Sequence, residues 1–544
     1  MIRNIQRSVP AQTLIAFGVA LCISACQAAT LCVNPTGASG CMTTIGAAVA
    51  AAMDGDVIQV AAGTYKEDVS ITKTIGLIGA GSATTIIDAT GLANGIVIDG
   101  TAGNVFGGVV SGFTVQNANL QGILIQNASS VTVWNNQVLN NNKSLNATAA
   151  PPSCPGLPPA LQQGESFDCG EGVHLTGVDH AVIANNVVQL NAGGILLSDD
   201  TGPTHDNVIS GNLVSDNAYD CGITLASHSG MGVFHNTITG NQSLRNGLKQ
   251  FGAGAGVGIF APGPGTQMVG NVVINNVLMG NGLPGVAMHN HAAPGVGGVP
   301  AGAPPVALNN NIIIGNTISG NGADTEDTAT PGPTGINIAS VAPAGGNVIT
   351  QNQISQELVA VATRNPAEGR IFFNNFTAGT CVLNTGSGFV NATENWWGCA
   401  GGPASIACAS VNGPGPTVTA PSLTAPFSAT ALPAAPGSGP PPPHSGVVTV
   451  VVAGNSGAVS ASNTFQATGN VILLSASQSS STAPGALSFS WTEAPGYPPA
   501  QISGANTATP TIQFNLHGTY KLILTVTDST GSTGTATITV ENYV

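Results

Sequence analysis

Between Val131 and Asn321 the chain repeats one short pattern: an aliphatic pair, one or two small residues, Asn, any residue, an aliphatic. The copies are WNNQV (134–138), IANNVV (183–188), ISGNLV (209–214), FHNTI (234–238), INNV (274–277) and IGNTI (314–318). The shared Asn falls at Asn136, Asn186, Asn212, Asn236, Asn276 and Asn316. A second follows five residues later at Asn141, Asn191, Asn217, Asn241, Asn281 and Asn321. Weaker copies around Asn352 and Asn375 keep only the first. Successive first Asn residues lie 50, 26, 24, 40, 40, 36 and 23 apart. The shortest spacings read as bare repeats, the longer ones as repeats carrying a looped insertion. A period in the twenties predicts a solenoid, whose short strands bury a core only when the units stack. Asn suits a tight corner because it tolerates left-handed backbone. A ladder recurring in every coil is read as structural.

A second series runs in step: GILIQNA (122–128), GVHLTGV (172–178), GILLSDD (194–200), GITLASH (222–228), GIFAPGP (258–264), GVAMHNH (285–291) and GINIASV (335–341). After each Gly the second and fourth places are apolar. Side chains alternate across a strand, so these point in while the third, fifth and seventh point out. Stacked at about 4.8 Å per rung, the segments predict one long parallel sheet.

Over roughly residues 30–410 this pattern resembles the right-handed parallel β-helix family, the fold of pectate lyases and polygalacturonases. The resemblance implies an all-β solenoid and a candidate polysaccharide substrate, on a fold that carries many activities. Residues 43–88 predict a short Ala-rich helix that caps the open end, then short strands, and resemble the start of pectin-lyase-like β-helices. ENWWGCAGGP (394–403) resembles the terminal motif of many bacterial β-helix proteins, with Trp396 and Trp397 as an end cap. Residues 411–446 read as a Pro-rich, semi-rigid linker. Residues 447–544 resemble the polycystic-kidney-disease-like (PKD) immunoglobulin sandwich, with Trp491 and Tyr520 in its core. WTEAPG stands where that family has an acidic WDFGDG-type segment, and no chemistry is assigned to this module.

Composition narrows the function. Charged residues are 6% of the 544, the net charge is −14, and 42% are hydrophobic. That hydrophobic share excludes disorder, and ten thinly spread basic residues exclude nucleic acid as a partner. Residues 1–29 read as an export signal, with Arg3 and Arg7 before an apolar Leu14–Ile23. Its end fits either a lipid-anchored Cys26 or cleavage after Ala28. The expectation is a secreted or periplasmic protein or an outer-membrane lipoprotein, monomeric, meeting a membrane only through that anchor. Export makes cysteines disulfide candidates. Proximity suggests Cys32–Cys41, Cys154–Cys169 and Cys399–Cys408, leaving Cys221 and Cys381.

Candidate chemistry concentrates at the outward places: His174, Asp200, His228, His289 and His291, with Asp199, Asp220, His205 and Asp206 on flanking turns. Coiling lines up Asp200, His228 and His291 in one exposed row. His and Asp at hydrogen-bond range can pass protons, and a carboxylate beside other acids can have a raised pKa and act as general acid. Asp199, Asp200, Asp220 and His228 are thus the catalytic candidates. His174, His289, His291, Arg245 and Lys249 are the substrate-binding ones. A divalent metal is a second use, through His228, His289, His291 and Asp200, or Ca²⁺ through Asp199, Asp200 and Asp220. Insertions at 143–170, 242–256, 292–308 and 322–334 (Asp324, Glu326, Asp327) rise from the same coils. SDD (198–200) followed by SHSG (227–230) is loosely similar to the Asp pair and His of polygalacturonases. Here, however, the acids follow the strand, and no Arg-x-Lys partner comes in the next coil. The reading is an exported carbohydrate-active enzyme on a polysaccharide, hydrolase ahead of lyase or epimerase, working in a groove on the outer face. The alternative is a non-catalytic adhesion or glycan-binding protein of the cell surface.

Overall fold

The computed structural model describes residues 28–428 and 448–542. Short stretches inside them are left out: 104, 150–152, 162–168, 250–253, 297, 326–328, 404, 406–408, 454–462, 468–470, 482–486, 495–499, 515–517 and 529–532. Residues 1–27 with Cys26, residues 429–446 of the expected linker, Glu326, Asp327 and Cys408 lie outside the described residues.

From Thr30 to Val418 the chain coils as a right-handed solenoid of parallel strands. One face is a sheet of 14 strands. Two further faces merge into a sheet of 21, because Gln353–Arg364 and Asn375–Asn384 each run round a corner without a break. A strip of four short strands fills the corner between Thr204 and Asn309. Solenoid pairing persists to Thr417–Val418, which pairs with Val390–Asn391. The coil therefore passes the expected boundary at 410 and the ENWWGC segment.

The outward sheet holds β1 (Ile123–Gln126), β2 (Val173–Thr176), β3 (Ile195–Ser198), β4 (Ile223–Ala226), β5 (Val257–Phe260), β6 (Val286–Asn290) and β7 (Thr334–Ser340), paired in that order. Ile123, Val173, Ile195, Ile223, Val257, Val286 and Ile336 stack inward and are fully buried, each contributing about 1.5–3 kcal/mol of apolar burial. One frame differs from the sequence reading. Val257 pairs with Ile223 and Val286, so that repeat begins at Gly256, two residues before GIFAPGP. A slip of two keeps the faces and moves every outward place, putting Phe260 opposite Ala226 and His289.

Three asparagine ladders, not two, hold the corners. The first runs Asn136, Asn186, Asn212, Asn241, Asn276, Asn316, Asn352, Asn374, Asn395. The second runs Asn141, Asn191, Asn217, Asn246, Asn281, Asn321 and ends on Glu357. The third runs Asn207, Asn236, Asn271, Asn311, Asn347. Asn236 thus belongs to the third ladder and Asn241 to the first, and Asn374 replaces Asn375. In each ladder the Oδ1 of one Asn accepts both the backbone N–H and the side-chain amide of the Asn one rung back, as Asn241 does for Asn212 at 3.0 and 2.9 Å. Buried polar groups are satisfied this way at every rung.

The helix α1 (Ile45–Ala51) covers the solenoid's open end with Ile45, Ala48 and Val49. Thr44 caps it, and the Glu67 carboxylate accepts the N–H groups of Ile45 and Gly46 at 2.8 and 2.7 Å. Lys73 donates to the carbonyls of Val49, Ala50 and Ala52 at the other end. Both charges oppose the helix dipole. At the far end Trp397 is fully buried against Phe376, rings 5.5 Å apart, and Trp396 is half-buried. Cys32–Cys41 and Cys154–Cys169 are disulfides, and Cys399 is disulfide-bonded. Cys221 and Cys381 are buried. Beyond the linker, a four-stranded and a three-stranded sheet enclose a separate core containing Trp491 and Tyr520. Among the described residues no helix is long and apolar enough to cross a membrane.

Candidate functional site

Three consecutive rungs of the outward sheet bring four polar side chains into one hydrogen-bonded chain. His174 on β2 places Nε2 2.8 Å from the Ser198 hydroxyl at the end of β3. That hydroxyl donates to Asp200 Oδ2 at 2.7 Å, so His174 Nε2–H donates to Ser198. Asp200 Oδ1 lies 2.8 Å from His228 Nδ1, just past β4. Burial pushes the Asp200 carboxyl up. The hydrogen bond and charge of His228, the charge of His174 and the Ser198 hydroxyl outweigh it and hold the group below the ordinary carboxylate value. Asp200 is therefore an ionised orienting group, not the raised-pKa acid expected. It directs Nδ1–H of His228 and leaves Nε2 as the nitrogen that can exchange a proton.

The remaining candidates separate from this chain. Asp199 turns into the corner, where its carboxylate accepts from the N–H groups of His228, Ser229 and Gly232 and from the Ser227 hydroxyl. It clamps the turn that carries His228 and is a positioning residue. Asp220 precedes β4, at the opposite end of the strand, and accepts from the N–H of Cys221. Neither joins Asp200 in an acid pair or a Ca²⁺ set. Arg245 and Lys249 line a different cleft of about 420 Å³ with Tyr219, at the corner where the outward strands begin. Arg245 donates to both oxygens of Asp216 at 2.8 and 2.7 Å, and that hydrogen-bonded guanidinium lowers the Asp216 carboxyl.

The histidines do not form one row either. His289, on β6, pairs with Asp324 of the 322–334 insertion at 2.9 Å, and Asp324 also accepts from Asn337 at 2.8 Å. His291 is exposed, its ring 5.9 Å from that of His289. The metal set of His228, His289, His291 and Asp200 is thus split between two pairs separated by the β5 rung. Among the described residues no three His, Cys, Asp or Glu side chains converge on a metal position.

Nor is the row exposed. The Asp200 and His228 side chains are each 1% accessible. Insertions fold back over the outward face. Leu157, Leu161 and Cys169 cover Leu120 and Leu124, Asp324 reaches His289, and Leu196, Ala226, Phe260 and Ala287 form a buried apolar patch with Cys221, Ala255 and Leu283. In place of the expected open groove, the Asp200–His228 contact is a buried polar seam. The role of Ser198 and the pairing of Asp324 with His289 escaped the sequence reading. Ser198 stands at the fifth, outward place of SDD's own repeat, which was the available signal, whereas Asp324 lies on an insertion whose path no periodicity fixes.

The fold is a right-handed parallel β-helix followed by a small two-sheet β domain. Residues 75–273 match the right-handed β-helix region family and residues 460–541 a PKD-domain family. Among solved structures the chain is similar to alginate lyase from Paenibacillus sp. (17% identity, 60% of this chain and 95% of that one, TM-score 0.40). It is also similar to the catalytic unit of an α-1,3-glucanase from Streptomyces thermodiastaticus (14%, 70% and 66%, TM-score 0.35). A third is DFA-IIIase from Arthrobacter chlorophenolicus (14%, 67% and 89%, TM-score 0.37). No curated protein matches the sequence. At these scores the structural likenesses assign no chemistry to this chain.

Proposed function

We propose that the chain is an exported carbohydrate-active enzyme acting on a polysaccharide, with Asp200 and His228 as its proton-transfer pair and His174 and Ser198 supporting them. The carrying observation is the hydrogen-bonded chain His174–Ser198–Asp200–His228. A sequence with 6% charged residues gathers two imidazoles and an ionised carboxylate there. Asp200 fixes the imidazole tautomer, and His228 Nε2 accepts or returns the proton. The group serves elimination or epimerisation as readily as hydrolysis. Turnover through it requires the Asp200 and His228 side chains, each 1% accessible, to become exposed. A purified-protein screen of polysaccharides tests this, reading new reducing ends and the ultraviolet absorbance of unsaturated ends. Activity lost in His228→Ala with the fold intact supports the reading; no product from any polysaccharide sinks it.

The burial of the pair favours the second reading, a glycan-binding surface protein in which the polar chain is structural. That protein binds glycan equally well after Asp200→Asn and His228→Ala.

A further inference from the structure

One solvent-facing row lies outside the seam, at the corner where the outward strands end. Phe106, Ser129, Asp179, His205 and Phe234 occupy successive rungs of one column, each bridged to the next. The residue after each of the last four is Ser130, His180, Asp206 or His235, and all of these hold left-handed backbone with φ between 54° and 59°. The same corner position is Gly270 and Asn310 in later coils. Left-handed residues stand at many corners of this solenoid, so the position sets where these side chains lie and no more. His205 stacks on Phe234, centroids 4.7 Å apart and planes 5° from parallel, and its Nδ1 lies 2.9 Å from Asp206. Both contacts restrain the imidazole ring.

That cleft has a volume of about 600 Å³ and is lined by Phe106, Asn127, Asp179, Thr201 and His205, among others. Its size suits a small ligand, and it combines apolar wall with a few converging polar groups. Phe106 is 67% exposed, although Thr74 bonds its backbone N–H and carbonyl and holds the residue in place. A large aromatic face held open to solvent beside Asn, Thr, His and Asp side chains matches a ring with one apolar C–H face and a rim of hydroxyls. Asp and Asn provide acceptors and donors for such hydroxyls. Among the described residues no Lys or Arg lines the cleft, Asp179 is in it, and Asp206 stands behind His205. An anionic ring would meet like charge there.

We infer that this cleft binds a neutral pyranose unit of a glycan, with Phe106 as the stacking face and Asp179, Asn127, Thr201 and His205 as the hydroxyl partners. The inference takes its ligand class from the carbohydrate reading but does not need turnover. Thr201 follows Asp200 directly in the chain, so a ring in the cleft sits next to the turn that carries the proton-transfer pair.

Calorimetric titration of the full chain tests it, with neutral gluco-, xylo- and manno-oligosaccharides and with oligogalacturonate as the anionic comparator. At least one neutral oligosaccharide binds. Its affinity falls about tenfold or more in Phe106→Ala and in His205→Ala. Because Phe106 is exposed, its truncation leaves the unfolding midpoint unchanged. Binding untouched by both cleft variants, preference for oligogalacturonate, or no binding by the intact chain overturns the inference. Binding that depends on Phe106 without turnover of any polysaccharide keeps the cleft and ends the enzyme reading. Turnover that depends on His228 with binding indifferent to Phe106 does the reverse.

Discussion

Glu357→Gln should stabilise the solenoid above neutral pH and do little in acid. The second ladder passes its hydrogen bonds from Asn to Asn until Glu357, whose Oε1 accepts the Asn321 backbone N–H and side-chain amide, each at 3.0 Å. In this ladder each amide also donates to a carbonyl three residues before the previous member, as Asn321 does to Leu278 and Asn281 to Ser243. The same rule assigns Ile318 to residue 357, and an ionised carboxylate has no proton to give. Its Oε2 is buried without a hydrogen-bond partner among the described residues. Burial pushes the carboxyl from 4.5 up to about 7, against the opposing hydrogen bonds from Asn321 and Gly320. Because the folded pKa is the higher one, the folded state holds more protons between those values. Stability is full below about pH 4.5, declines as pH rises and is lost by about pH 7, on the order of 3 kcal/mol in all. Gln keeps the shape, the acceptor and a donor. Urea unfolding of the solenoid, wild type against variant, at about pH 4, 6 and 8 gives the difference, in which other titrations cancel. The gain should be near zero in acid and approach about 2–3 kcal/mol at pH 8. Glu357→Ala, which removes the acceptor, should cost about 1–3 kcal/mol in acid, where the wild-type group is neutral. A Gln effect of equal size at every pH, or one larger in acid, refutes the reasoning.

Three further outcomes follow from the same geometry. Asn241→Ala, in mid-ladder, leaves the Asn212 backbone N–H and amide without their acceptor and should lower stability by on the order of 3 kcal/mol, read by chemical unfolding. Asp200→Asn should destabilise near neutral pH, and that loss should shrink as pH falls below the ordinary carboxylate value, since the native pKa is depressed; a loss constant down to acid denies the ionised pair. Cys381, buried with its thiol pushed up to about 12, should resist alkylation in the native protein and react once it is unfolded, as mass spectrometry would show.

The architecture was legible because an inward column needs only alternation, and Ile123 through Ile336 supply it at every rung. The ladders were legible in kind but not in membership. The triplets Asn207–Asn212–Asn217, Asn236–Asn241–Asn246 and Asn271–Asn276–Asn281 are spaced by five, one for each corner, and a two-member template slips by one corner at FHNTI. The Asp200–His228 contact was legible from rung spacing alone. Its burial was not, because alternation says which side chains point out and not how far they are covered, and insertions such as 322–334 have no period to say which way they fold. The same gap hid the Asp324–His289 pair and the roles of Asp199 and Asp220, set by turn backbone N–H groups that no side-chain pattern encodes. The column from Phe106 to Phe234 was missed because its rungs are one or two residues long.

The account stands or falls on whether the carboxylate at position 200 is needed for turnover. The direct measurement is the rate of product formation from a cleaved polysaccharide by wild type and Asp200→Asn, with near-ultraviolet circular dichroism confirming the same fold. The pair predicts a fall of about 10²–10⁴-fold with glycan binding retained. Equal rates from the two proteins would contradict it.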